Sequence, residues 1–123
     1  MSSILYVHTG GVKTPERSAT PIYLATTAAA MDVEVGIYFT VNGPTLLKKG
    51  AADALIVPKY DGTGAPLRRF IDQALDMGVK FYVCQPSLDL HGLTMADMID
   101  GVEMIGGAAF NDMALNSDAV IAF

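Results

Sequence analysis

Among the side chains able to do covalent chemistry, the chain's single cysteine, Cys84, stands out by its position. It follows Val79-Lys80-Phe81-Tyr82-Val83, a β-branched and aromatic run suited to a short central strand. Gln85-Pro86 comes next, and proline fits the first turn of a helix, where its missing N–H costs nothing. A thiol just ahead of a helix N-terminus faces unpaired N–H groups and the positive end of the macrodipole. Both favour the thiolate, the nucleophilic form of cysteine. The same position equally suits a small apolar filler, since free cysteine is among the most buried residue types. Position alone leaves reactive and inert readings open.

Other chemistries find less support. His8 and His91 lie at opposite ends of the chain, with no HxxxH, no CxxC and no adjoining carboxylate cluster, so no metal centre is expected. Cys84 and His91 would stand two helical turns apart, on the order of 10 Å, too far for a direct Cys–His pair unless the helix breaks early. As a helix-end residue before Gly92, His91 also suits interaction with unpaired carbonyls. Gly10-Gly11 invites a phosphate-cradle reading, but neither GxGxxG nor GxxxxGK[ST] occurs and tryptophan is absent. A tight turn needing positive φ explains those glycines better, and no FMN or other cofactor is expected. Met95, Met98, Met104 and Met113 crowd the last third, where core filling is the default and an adaptable docking or oligomer surface the alternative.

Positioning Cys84 is the task of an alternating series of strands and helices. Residues 4–8 read as a strand ended by Thr9-Gly10-Gly11. A helix follows within residues 14–31, beginning late or kinked at Pro21. Residues 33–40 form a second strand, and Asn42-Gly43-Pro44 opens a short helix ending at Gly50. Leu55-Ile56-Val57-Pro58 reads as a brief edge strand or extended loop, and residues 60–64 as turn. The clearest helix spans residues 66–77. Its Leu67, Phe70, Ile71, Ala74 and Leu75 make one apolar face, and Gly78 stops it. After the Cys84 strand come a short helix to about Leu90 and another from Met95, capped by Thr94 with Asp97. Residues 102–105 are strand, 107–115 helix and 119–123 a final strand.

Two-sided apolar strands alternating with helices predict an α/β fold: an open, mainly parallel five-stranded sheet with helices on both faces, flavodoxin-like. Such sheets hold their sites beyond the carboxyl ends of the strands. The residues leaving those ends are 8–11, 40–43, Cys84-Gln85 and Gly106-Gly107. Gly10, Asn42, Gly106 and Gly107 there would offer backbone or amide donors to an anion.

With 123 residues the chain reads as one domain, 1–123. Apolar residues make up 51% and charged ones only 17%, against a usual charged share of about 25%, so a homo-oligomer is expected to cover the excess. The net charge of −5 argues against nucleic acid as a partner. One cysteine fits a reducing compartment, no basic leader precedes the first strand, and the apolar run at 25–31 is too short to span a bilayer. A cytoplasmic protein without a membrane partner is expected.

The pattern as a whole resembles the DsrE/DsrF-like, or TusD-like, sulfur-relay family (DsrEFH-like fold). The resemblance runs from the first strand and Gly10-Gly11 through Phe39-Thr40, Asn42-Gly43 and residues 74–79. It continues through Val83-Cys84, His91-Gly92-Leu93, Ile105-Gly106-Gly107 and residues 117–123. Its most specific piece is the strand-ending Cys84 with Gly92 eight positions on; the family often has arginine before that glycine, where this chain has His91. The resemblance implies a sulfur carrier or sulfurtransferase that accepts sulfane sulfur on Cys84 as a persulfide. Gly10, Gly11, Asn42, Gln85, His91, Gly106 and Gly107 would line the site. Sulfur donor and acceptor proteins would be partners, and a homotrimer or homohexamer the assembly. The competing readings are a non-catalytic oligomeric scaffold and a small-molecule-binding flavodoxin-like module, each with an inert Cys84.

Overall fold

A computed structural model describes residues 2–123. Five parallel strands form the main sheet: β1 (Ser3–His8), β2 (Glu34–Phe39), β5 (Lys80–Val83), β6 (Val102–Met104) and β7 (Ala119–Ala122). Across the sheet they lie in the order β6-β5-β2-β1-β7. Their carboxyl ends come level, with His8 beside Phe39, Phe39 beside Val83 and Val83 beside Met104.

Strand order decides where a site can form. From β1 to β2, β5 and β6 the chain always steps the same way. Right-handed crossovers therefore put α1 (Thr20–Ala30), α3 (Leu67–Asp76) and α4 (Gln85–Leu90) on one face. The last crossover runs back from β6 to the opposite edge and puts α5 (Gly107–Leu115) on the other face. The loops leaving β5 and β6 thus part to opposite sides, opening the crevice in which parallel α/β sheets hold ligands.

The two faces are unequally covered. On the first, Ile22, Ala25 and Ala28 of α1 and Leu67, Ile71 and Ala74 of α3 pack on Val35, Ile37, Phe39, Phe81 and Val83 of the sheet. Among the described residues the other face has α5 alone, whose Phe110, Met113 and Ala114 pack against Leu5, Tyr38 and Cys84. Strand alternation sends Ile37 and Phe39 inward to the large core and Tyr38 to the α5 side.

Several expectations are refined. Thr14-Pro15 starts only a 3-10 turn, Pro15–Arg17, and α1 begins late at Thr20, with Pro21 in its first turn where no N–H is needed. The helix expected from Asn42 to Gly50 is a 3-10 segment, Gly43–Leu47. Gly50 at φ 84 then breaks it from a separate turn of helix, α2 (Ala51–Ala54). Residues 55–58 contain β3 (Ile56–Pro58), which pairs antiparallel with β4 (Gly64–Pro66) in a hairpin outside the main sheet. A Gly-Ala-Pro strand carries almost no β propensity, so β4 was not expected. The Thr94–Asp97 capping box forms, yet the helix after it lasts one 3-10 turn, Met95–Asp97.

Candidate functional site

Cys84 ends β5 in extended conformation (φ −116, ψ 149) and is the N-cap of α4. Pleating turns its side chain to the α5 face, beside Leu5 and Tyr38. Pro86 in the first turn of α4 removes one N–H that would otherwise need a partner. Three residues on, the turn brings Ser87 back over the cap, and the Cys84 thiol donates to Ser87 Oγ with Sγ and Oγ 2.9 Å apart. Thr40, first residue beyond β2, puts its Oγ1 3.4 Å from the sulfur and 3.1 Å from Ser87 Oγ. The backbone N–H of Val41 donates to Ser87 Oγ at 2.8 Å. Cys84 is therefore set in a cluster of hydroxyls.

That cluster controls the thiol. Burial pushes the Cys84 pKa up. The hydroxyls of Ser87, then Thr40 and Tyr38, and the Ser87 N–H pull it down further, leaving it below the ordinary thiol value. Tyr38 and the Ser87 N–H close no hydrogen bond of ordinary geometry to the sulfur and contribute less. Burial pushes the Tyr38 phenol up, its proximity to Cys84 adds to the shift, and Tyr38 stays neutral. The helix end foreseen from sequence is a minor influence, because α4 has only six residues.

Cys84 is 7% exposed, at the base of a hollow of about 400 Å³ between the ends of β5 and β6. Gln85, Met104, Ile105, Gly106 and Gly107 line its walls. A Cβ at Gly106 or Gly107 would meet nothing within 4 Å, so these glycines keep the mouth open without being needed for packing.

The remaining residues singled out from sequence lie elsewhere. Gly11, Asn42 and His91, with Lys13, Thr14 and Thr45, line a separate hollow of about 270 Å³ beyond residues 40–42. His91 makes no contact with Cys84; its Nε2 lies 3.0 Å from the Val41 carbonyl oxygen. Gly10 lines neither hollow: it is buried, and its N–H donates to His8 Nδ1 at 3.3 Å. Neither Gly10 nor Gly11 has positive φ, so the tight-turn explanation is replaced by close approach: a Cβ on Gly11 would stand 2.8 Å from Asn42 and from Thr45 Oγ1. His8 is buried against Phe39, its Nε2 2.9 Å from the Ser18 carbonyl oxygen, and its burial holds its pKa below the usual histidine value.

Sequence reasoning missed Ser87 and Tyr38, and it set Thr40 among the strand-end residues without giving it a role. The signal for Ser87 was present, since a Cys-x-x-Ser spacing across a helix start sets an N3 hydroxyl over the N-cap side chain. Thr40 required knowing that β2 and β5 are neighbours.

An open parallel α/β sheet with a hydroxyl-bound cysteine where its strand order reverses defines a small protein with a thiol site. The chain belongs to the DsrE/DsrF-like family, whose model matches residues 2–123. It is 30% identical to the sulfur carrier protein DsrE2 of Allochromatium vinosum, aligned over 80% of this chain and 84% of that one. An uncharacterized protein of Methanopyrus kandleri is 31% identical over 88% of this chain and 83% of its own. A longer one from Methanocaldococcus jannaschii is 26% identical over 89% of this chain, which spans 38% of its length. The crystal structure of the ychN protein from E. coli matches both chains over 100% of their length, with TM-score 0.76 and 20% identity, and so shares the fold.

Proposed function

We propose that this protein is a sulfur carrier that accepts sulfane sulfur on Cys84 as a persulfide and passes it to a partner protein. The observation that carries the reading is Cys84 on its hydroxyl cluster at the base of an open hollow. Likeness to the DsrE2 sulfur carrier supports it. The Cys84 thiolate attacks the outer sulfur of a donor persulfide. A new S–S bond forms, the donor's S–S bond breaks, and its electron pair leaves on the donor thiolate. Nothing is oxidised or reduced overall, and the step needs no metal, base or second cysteine. A persulfide reaches one S–S bond, about 2 Å, further than the thiol, into a hollow with room for it. Hand-over repeats the exchange, with Cys84 as leaving group. Any enzymatic activity would be that of a sulfurtransferase.

Partners in this reading are sulfur donor and acceptor proteins, together with copies of the chain in a homotrimer or homohexamer. Exposed Leu115, Val120, Ile121 and Met104, around α5 and the edge strands, support self-association. Among the described residues no helix is long and apolar enough to cross a membrane. We place the protein in the cytoplasm, without a nucleic-acid partner.

The low exposure of Cys84 favours the competing reading of a scaffold or small-molecule-binding module with an inert thiol. Incubation with polysulfide followed by intact-mass measurement separates them. The carrier gains the mass of one sulfur and Cys84→Ser gains none. Equal gains, or a thiol that reacts only after denaturation, refute the carrier.

A further inference from the structure

We propose, resting on the reading of Cys84 as sulfur acceptor, that Ser87 is a positioning residue whose hydroxyl reverses its hydrogen bond when the thiol ionises. The backbone N–H of Val41, presented by a left-handed backbone, holds one lone pair of that hydroxyl in both states. A serine hydroxyl has one hydrogen to give and two lone pairs to receive. Ser87 Oγ has three polar neighbours: Val41 N at 2.8 Å, Cys84 Sγ at 2.9 Å and Thr40 Oγ1 at 3.1 Å. A backbone N–H can only donate, so Val41 occupies one lone pair permanently. One lone pair and one hydrogen remain for Cys84 and Thr40.

With the thiol protonated, S–H fills that lone pair and the Ser87 hydrogen points to Thr40. With the thiolate, sulfur can only accept. Ser87 then turns its hydrogen to sulfur, and Thr40, 3.4 Å from the sulfur and 3.1 Å from Ser87 Oγ, gives its own hydrogen either to the sulfur or to the vacated lone pair. Both arrangements satisfy every group, and only hydroxyl hydrogens rotate. The N–H bond from Val41 also polarises the Ser87 hydroxyl and makes it a stronger donor to the anion.

Val41 achieves this at an unusual cost. It is β-branched, yet has φ 58, a region such residues rarely enter. That conformation directs its N–H at Ser87 while its carbonyl is held by His91 Nε2 at 3.0 Å. Strain of this kind persists where surrounding contacts over-determine it.

Because the cluster is aimed at the sulfur bonded to Cβ, it favours the Cys84 thiolate more than a persulfide whose charge lies one sulfur further out. Its effect falls on hand-over, when Cys84 leaves as thiolate, and lower-pKa thiols leave faster.

Thiol pKa is read from the pH dependence of iodoacetamide alkylation, and hand-over from thiocyanate released when cyanide removes the outer sulfur of polysulfide-loaded protein. Cyanide forms a C–S bond as the S–S bond breaks onto Cys84. Ser87→Ala is expected to raise the thiol pKa by about one unit, the loss of one bond to a charged group. It should slow thiocyanate release roughly threefold, from the Brønsted dependence on the leaving thiol. Thr40→Val should shift both in the same direction, and Thr40→Ser should restore them, which keeps a decisive arm should Ser87→Ala fold poorly. A thiol pKa that Ser87→Ala leaves unmoved, or like values for Thr40→Val and Thr40→Ser, overturns the proposal while the carrier reading stands. If wild type takes up no sulfur but the alkylation profiles shift as stated, the carrier reading fails and the hydroxyl relay stands.

Discussion

His91 Nε2 sits 3.0 Å from the carbonyl oxygen of Val41, with residues 40–42 between it and the hollow that holds Cys84. An imidazole so placed braces a strained loop and does not pair with the thiol. His91→Gln keeps a side-chain N–H able to reach the same oxygen, so its iodoacetamide pH profile should show the same thiol pKa as wild type. A Cys–His ion pair would instead lose its low-pH reactivity on this change, and that result would contradict the bracing role.

The second histidine predicts how stability responds to acid. His8 is buried, and its burial depresses its pKa in the folded protein. The folded state therefore binds fewer protons at His8 than the unfolded chain does. Its contribution to stability is complete above about pH 6.5 and declines as pH falls from there toward the depressed value. Asp61 and Asp97, lowered by Thr63 and Thr94, titrate below the ordinary carboxylate range and stay out of this window. Urea midpoints between about pH 7.5 and 5.5 should fall for wild type and fall less for His8→Gln. Parallel slopes would refute the assignment.

Gly106 predicts who can reach the sulfur. Its backbone is extended (φ −83, ψ 173), and a Cβ there would meet nothing within 4 Å, so the fold does not require glycine. Gly106→Leu should keep the melting temperature of wild type within a few degrees, roughly the effect of a surface change. The added isobutyl group would project at the mouth of the hollow. Alkylation by a bulky maleimide should slow at least several-fold while that by iodoacetamide changes little. Equal slowing of both reagents would show that the mouth is not the route to Cys84.

Much of this arrangement was legible in the chain, for reasons that differ by element. The α3 face of Leu67, Ile71 and Ala74 follows from helical spacing, and the end of β5 at Cys84 from a β-rich run meeting Gln85-Pro86. Period and punctuation are local, so sequence carries them. The grouping of site residues is not local. Gly106 and Gly107 join Cys84 because β6 is its neighbour, whereas Gly11, Asn42 and His91 fall into a separate hollow across residues 40–42. Every strand-end residue looks equivalent until strand order separates them. Likewise, Val41 gives no sequence hint of φ 58, because its type argues for the opposite conformation.

Gly43 shows a glycine required for contact, the reverse of Gly106. A Cβ on Gly43 would lie 2.5 Å from the His8 carbonyl oxygen and 3.1 Å from Phe39 Cβ. Both are fixed: His8 and Phe39 are fully buried register partners in neighbouring strands, and the Thr40 N–H donates to that same His8 oxygen at 3.1 Å. Neither can yield without opening the β1–β2 ladder at its carboxyl end, one residue from Thr40 and the hydroxyl cluster. Gly43→Ala should therefore cost about 1–3 kcal/mol, the usual penalty of overpacking a rigid site. At about 4 °C per kcal/mol for a chain of this size, the melting temperature should drop by about 4–12 °C. Gly106→Ala, at an unstrained extended position, should hold or gain about 0.4–1 kcal/mol through the unfolded state. Calorimetry on the two variants decides the matter, since equal stabilities would mean that the approach of the residue 43 backbone to His8 does not constrain the fold.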